Sequence, residues 1–287
     1  VFPKYSLGTS HYYKTGTLSV FGNYVFNPRK ELQESRRKVN FIDDGGEVFA
    51  RWDTEMQRTR RSWGQQANLM VDFKPGDRDA LNLTGTWNVS PNRRSGYDLQ
   101  TRMRNAQGVL DSSLRTNSLV EDDRWDLSAD LTYRRDLGEE GGNLKANIHY
   151  TRSVLDRLQD GTTDYFDPSG AFLRAFPFAT EADQDIDIWT GQADYYQPIP
   201  SGALEAGAKT SRIRTRNRID YLDVNNTLPP FDIALSDRFE YDENVYAAYM
   251  SMDKSWGAWS LKMGLRAEQT EVQARSLTLD EINNQSY

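Results

Sequence analysis

Strict alternation over two long neighbouring segments constrains this chain more than any other feature. Residues 125–153 read WDLSADLTYRRDLGEEGGNLKANIHYTRS. In the first half Trp125, Leu127, Ala129, Leu131 and Tyr133 share one parity, and Asp126, Ser128, Asp130, Thr132 and Arg134 share the other. In the second half Leu144, Ala146, Ile148 and Tyr150 alternate with Asn143, Lys145, Asn147, His149 and Thr151. Successive strand side chains point to opposite faces, so the pattern is a two-faced antiparallel hairpin reversed at LGEEGG, Leu137–Gly142. Two folds accommodate it. A soluble sandwich turns the apolar face inward. A transmembrane barrel turns it to lipid and its polar face to a wet lumen.

Composition narrows the choice. The chain has 287 residues, 27% of them charged, with a net charge of −7. Its mean hydropathy is −0.77, and no apolar run approaches the roughly eighteen residues of a membrane helix. A barrel remains open, because only alternate residues of its strands must be apolar. There is no cysteine, so neither disulfides nor a thiolate metal site is expected. Mild acidity without a basic cluster argues against nucleic acid. The opening VFPKYSLGTS lacks the apolar segment of a signal peptide, and both ends read as cut from something longer.

Short turns recur about sixty residues apart, at Lys14–Gly16, Lys74–Ala80, Leu137–Gly142, Gln197–Ala203 and Lys254–Trp259, which predicts about ten strands. Between these hairpins lie long polar stretches, residues 27–47, 90–123 and 153–185, expected to be loops. Short turns alternating with long loops is the pattern of outer-membrane barrels.

The parity test repeats along the chain. Ala67, Leu69, Val71 and Phe73 alternate with polar residues, as do Leu81, Leu83, Gly85, Trp87 and Val89. So do Leu204, Ala206 and Ala208, and Trp259, Leu261, Met263, Leu265 and Ala267. Phe21 and Val25 break the rule by falling on the polar parity. Ile186 and Ile188 switch phase, which a bulge or a loop start would explain. Tyr13, Tyr133, Tyr195 and Trp259 lie beside turns, where membrane-interface girdles sit.

The segment FEYDENVYAAYMSMDKSWGAWSLKMGLRAEQTEV, Phe239–Val272, resembles the β-barrel of TonB-dependent receptors, through YDEN, AAY at Ala247–Tyr249 and GLRAEQT at Gly264–Thr270. LSVFGNYVFN, ANLMVDFKPGDRDALNLTGTWN and GQADYYQPIPSGALEAGAKTS agree. The resemblance implies a bacterial outer-membrane barrel of about twenty-two strands. It also implies an N-terminal plug domain and coupling to the TonB complex, with a scarce nutrient (siderophore, oligosaccharide or peptide) as ligand. On that reading residues 1–287 are one partial barrel domain, all-β and antiparallel, in contact with outer-membrane lipid.

Few residues carry candidate chemistry. No nucleophile elbow, phosphate loop or dinucleotide glycine pattern occurs, so neither an enzyme nor a cofactor is expected. His11 and His149 are too far apart to suggest a metal, and Asp183, Asp185 and Asp187 read as a solvated loop entering a strand. The candidate ligand contacts are Trp52 and Trp63 in RWDTEMQRTRRSW, whose mix of tryptophan and arginine suits sugars or anionic ligands, and Tyr165, Phe166, Phe172, Phe176 and Phe178 in residues 161–180. Packing against neighbouring strands is the plainer role for both groups. Asp130, Arg134, Lys145, Glu205, Lys209, Arg266 and Glu268 are expected to face the lumen and to pair with one another or with a plug. A passive porin and a soluble β-rich binding module are the rival readings. Ten open strands leave two unpaired edges, which lipid does not tolerate. Residues 1–287 alone should therefore not fold stably in aqueous buffer. A cooperative melt of a soluble monomer, followed by circular dichroism, would overturn this.

Overall fold

Each alternating segment pairs with its neighbours in sequence. The computed structural model describes residues 4–138, 141–222 and 236–287. Its strands are β1 (Leu7–Lys14), β2 (Leu18–Ile42), β3 (Val48–Phe73), β4 (Asp79–Asn105), β5 (Leu110–Leu137) and β6 (Gly142–Phe166). They continue with β7 (Phe172–Ile199), β8 (Gly202–Leu222), β9 (Asp237–Trp256), β10 (Trp259–Ser276) and β11 (Glu281–Ser286). The spatial order is the sequence order, and the sheet is not closed. The ten expected strands are all present, and β11 is an eleventh that the turn spacing did not reveal. Hairpins form at all five expected turns, although Glu139 and Glu140 of LGEEGG lie outside the described residues.

The expected long loops are strands. β4, β5 and β7 run 27, 28 and 28 residues, or about 90 Å at 3.3 Å per residue, whereas about ten residues cross a bilayer. Three tight turns close the far ends of β2–β3, β4–β5 and β6–β7, and they share one device. Asp43, Asn105 and Asp167, each 62 residues after the last, accept the backbone N–H four residues on, at 2.9, 3.0 and 2.9 Å. The residue three positions on is Gly46, Gly108 or Gly170, at φ 85, 80 and 85°, a conformation open to glycine without strain.

Among the described residues no second layer covers the sheet. The accessible surface is 19062 Å², against roughly 12,500 Å² for a compact monomer of this mass. Among the described residues the buried hydrophobics are only Val120, Ala203 and Ala247. Stability therefore rests on the ladders and on whatever medium meets each face.

The register brings the apolar positions into rows. Leu131 faces Leu83 of β4 and Ile148 of β6. Ala208 faces Ala193 of β7 and Ala248 of β9, which faces Ala267. Aromatic residues bound this apolar band. Tyr133, Tyr195, Trp256 and Trp259 lie near the hairpin turns, while Trp63, Trp125, Tyr150 and Trp189 lie at the other edge. The Tyr150 and Trp189 rings are 4.3 Å apart, and Phe26 stacks on Trp63 at 6.1 Å. Beyond that edge the same face turns ionic. Arg152 pairs with Asp185 at 2.8 Å, Arg218 with Asp183 at 2.5 Å, and Arg214 with Asp242 at 2.9 Å.

Phe21 and the Ile186–Ile188 phase change have structural answers, whereas Val25, opposite Gly8 and Gln66, has none. Phe21 lies on the polar face opposite Tyr12 and Met70, so it has apolar neighbours there. Ile186 and Ile188 involve no bulge: the β6–β7 register runs unbroken through them. The phase change occurs because the band ends at Trp189 and the apolar parity passes to Asp187 and Asp185.

Leu131 sits in mid-band and is 40% exposed. Leu131→Arg should cost about 2–4 kcal/mol in lipid and abolish heat-modifiable gel mobility, whereas Asp130→Asn on the opposite face should preserve it.

Candidate functional site: an arginine and aromatic wall on the polar face

A bulge shapes the part of the polar face where Ser95, Val120 and Asp122 are buried. The β4–β5 register slips by one residue between Ser90 and Arg93. Asn92 takes a positive φ of 50° and donates its N–H to Asp123 at 2.6 Å. Asparagine tolerates that conformation better than most residues. The extra residue flips the parity of β4, so Arg93, Ser95 and Tyr97 turn to the polar face. Arg93 then grips Asp122 through two bonds, Nε–Oδ1 at 2.5 Å and Nη2–Oδ2 at 2.9 Å. Arg157 of β6 approaches the same carboxylate at 3.9 Å. The Asp122 side chain is only 3% exposed.

Arginines extend the wall across β3. Arg58 lies between Gln33 and Tyr97, with its guanidinium 6.0 Å from the tyrosine ring centroid. Arg60 lies between Glu31 and Ser95. The Nε atoms of Arg58, Arg60 and Arg157 are buried without a hydrogen-bond partner among the described residues. Such donors are costly to bury, and a planar fork of N–H groups suits carboxylate or phosphate oxygens.

Four of the candidate aromatic residues share this face. Trp52 packs with Phe41, their rings 4.9 Å apart. Tyr165 carries the Arg174 guanidinium 4.4 Å over its ring. Phe176 stands opposite Thr163, and Phe178 opposite Gly161, where a Cβ would come within 2.8 Å of the phenyl ring. The other three lie elsewhere. Trp63 belongs to the girdle, and Phe166 meets Phe172 edge-on at 6.1 Å near the β6–β7 tip, past a register shift. All seven stand on or at the ends of strands rather than in long loops.

Nearer the hairpin turns, the expected lumen residues share the polar parity. Arg134 bonds Asp136 at 3.0 Å, Glu205 accepts from Ser251 at 3.3 Å, and Arg266 pairs with Glu268. Lys145 and Lys209 have no ion-pair partner among the described residues. Asp130 holds His149 at 3.3 Å and Asn147 at 2.8 Å, and His149 Nε2 lies 2.9 Å from the Thr151 hydroxyl. That hydroxyl–imidazole–carboxylate series resembles a nucleophilic triad in outline. Its backbone lies within the β5–β6–β7 ladders, however, so no pair of free amides is aimed to hold an oxyanion. A solvated hydrogen-bond chain describes it better.

Comparisons with known proteins decide the family. Residues 135–287 match the outer membrane protein beta-barrel family. The chain belongs to that family. It is a protein of the bacterial outer membrane, and its apolar face is the lipid face. No curated protein matches the sequence. Among solved structures, the outer membrane protease OmpT from Escherichia coli aligns over 96% of this chain and 92% of its own, with 10% identity and a TM-score of 0.31. A likeness that low carries no argument about chemistry.

Arg58 and Arg60 lie within the tryptophan and arginine mix of RWDTEMQRTRRSW, whereas nothing in the sequence marks Arg93 or Arg157, because single positions in a charged strand look alike. The legible signal was Pro91–Asn92, a bulge signature inside an otherwise regular strand.

Two outcomes test the geometry. Asp122→Ala leaves two arginines facing an empty site and should destabilise the folded protein by about 3 kcal/mol, seen as a lower thermal midpoint. Tyr241, on β9 beyond the lipid band, donates to Glu243, and this bond with burial pushes its phenol up from 10.0 to about 12. The phenol ionises more easily once unfolded. Its contribution is therefore complete below pH 10 and is lost as the pH rises through about 12. Tyr241→Phe should flatten that part of the stability profile.

Proposed function

We propose that this barrel wall belongs to a TonB-dependent receptor that binds a scarce anionic nutrient outside the cell and imports it into the periplasm. The observation that carries the reading is the wall itself: Arg58 and Arg60, whose Nε atoms have no hydrogen-bond partner among the described residues, with Arg157 beside Asp122, on the face that also carries Tyr97, Trp52, Tyr165, Phe176 and Phe178. A ligand of carboxylates or phosphates with an apolar or ring portion, such as a chelating siderophore or an acidic peptide, uses both kinds of contact. Barrels of the outer membrane keep their short turns in the periplasm, which puts the wall on the extracellular side. The resemblance of Phe239–Val272 to receptor barrels supports a plug within about twenty-two strands. Lys145 and Lys209, unpaired within the sheet, are natural contacts for acidic plug residues. The role involves no covalent chemistry and no cofactor.

A passive pore is the rival, and liposome swelling separates the two. The full-length protein should give no swelling in small sugars, whereas swelling would favour the pore. In cells, accumulation of the nutrient should stop when the inner-membrane energising complex is removed. Arg58→Glu with Arg60→Glu should weaken binding by tenfold or more, on the order of one to two charge-assisted bonds.

A further inference from the structure

A row of three cations crosses the lipid-side face of β2, β3 and β4 just beyond the aromatic edge of the band. Lys30 stands directly opposite Arg61, and Arg61 directly opposite Arg94. Adjacent strands lie about 4.8 Å apart, so three positive charges share roughly 10 Å, and like charges set side by side in this way repel. Arg94 has a counter-charge, Glu121 at 2.5 Å on the next strand. Arg61 has none: it is exposed, with neither an ion pair nor a hydrogen-bond acceptor among the described residues. Thr59 and Trp63 flank it along β3, and Pro28, Leu32 and Gly96 lie diagonally across; none is acidic. Glu34 and Asp98 on this face lie four residues further out along their strands than Lys30 and Arg94, about 13 Å. Asp123, two strands from Arg61, already accepts the Asn92 N–H at 2.6 Å. The charge of Arg61 is therefore uncompensated, unlike that of Arg212, Arg214, Arg216 and Arg218 on β8, each of which meets a carboxylate.

Hydrocarbon-facing surface leads up to this row. Trp63, two residues or about 7 Å nearer the membrane along β3, is 51% exposed and stacks on Phe26 at 6.1 Å. Below that girdle the lipid face continues through Ala67, opposite Tyr24, and Leu69, opposite Gly22. Girdle aromatics sit at headgroup level, which puts the unneutralised guanidinium at the depth of a lipid phosphate.

We infer that Arg61, with Lys30 and Arg94 on either side, holds the phosphate of one bilayer lipid whose acyl chain lies along Trp63, Ala67 and Leu69. An anion relieves the repulsion within the row, and the guanidinium fork suits its oxygens. The apolar surface directly beneath selects a lipid over a free anion. The site depends on the lipid face alone and is independent of the receptor reading.

Native mass spectrometry of the delipidated full-length protein tests it, with phosphatidylglycerol and the diacylglycerol of identical chains as probes. One phosphatidylglycerol should be retained where diacylglycerol is not. Arg61→Gln should weaken retention about fivefold, the worth of one arginine near an anionic headgroup, and Arg61→Lys should largely restore it. Arg216→Gln, on the same face but already answered by Glu240 at 3.9 Å, should leave retention unchanged. Heat-modifiable gel mobility confirms that each variant is folded. Equal retention of the two lipids, no loss with Arg61→Gln, or an equal loss with Arg216→Gln would overturn the proposal. A dimer that Arg61→Gln dissolves would overturn it as well, assigning the cations to the row Asp123, Asp156 and Asp183 of a second copy.

Discussion

Backbone hydrogen bonding is the constraint on which everything else here depends. Hydrocarbon offers no partner to an unpaired N–H or C=O, so a strand can cross only with both edges engaged. The chain meets that demand by the shortest route, each strand pairing with the strands before and after it in sequence. Interior side-chain packing contributes little, because a single layer has almost no interior. β1 and β11 each present one open edge, and closure of the barrel would satisfy both.

Once the ladders are fixed, the medium determines side-chain chemistry row by row. On one parity, leucine, alanine and methionine occupy the band between two aromatic girdles, and arginine–carboxylate pairs take over beyond Trp189 and Tyr150. Individually such exposed pairs are worth little. Repeated between neighbouring strands, they hold the register of a sheet that continues far past the membrane. Asp242 serves two of them at once, Arg214 at 2.9 Å and Arg212 at 3.5 Å.

The polar face is organised by a different device. One inserted residue near Asn92 turns Arg93 towards Asp122, and the resulting fork is the least exposed ion pair of the wall. It closes off one carboxylate while leaving Arg58 and Arg60 without equivalent partners. A binding surface with spare donors is therefore built by a local backbone irregularity together with cross-strand neighbours. Arg58 and Tyr97 lie far apart in sequence and meet only because β3 and β4 pair in this register.

The sequence by itself determined the period, the faces and the turns. Alternation at Trp125–Tyr133 and Leu144–Tyr150 names the lipid face because a strand has only two sides. Glycine-bearing turns fix where the hairpins reverse. It did not show that residues 27–47, 90–123 and 153–185 are strands, because outside the membrane neither face must be apolar and the alternation fades into mixed polarity. The repeated Asp/Asn-x-x-Gly at 43, 105 and 167 marked their tips, but as a turn signal it is too short to stand out alone. Only the tertiary structure decided which candidate aromatics stand together. Trp63 and Trp52 lie eleven positions apart on one strand, yet their opposite parities send one to the lipid and the other to the arginine wall. Side-chain direction along a strand follows from counting, whereas the neighbour across the ladder depends on register, and register is a property of the folded sheet.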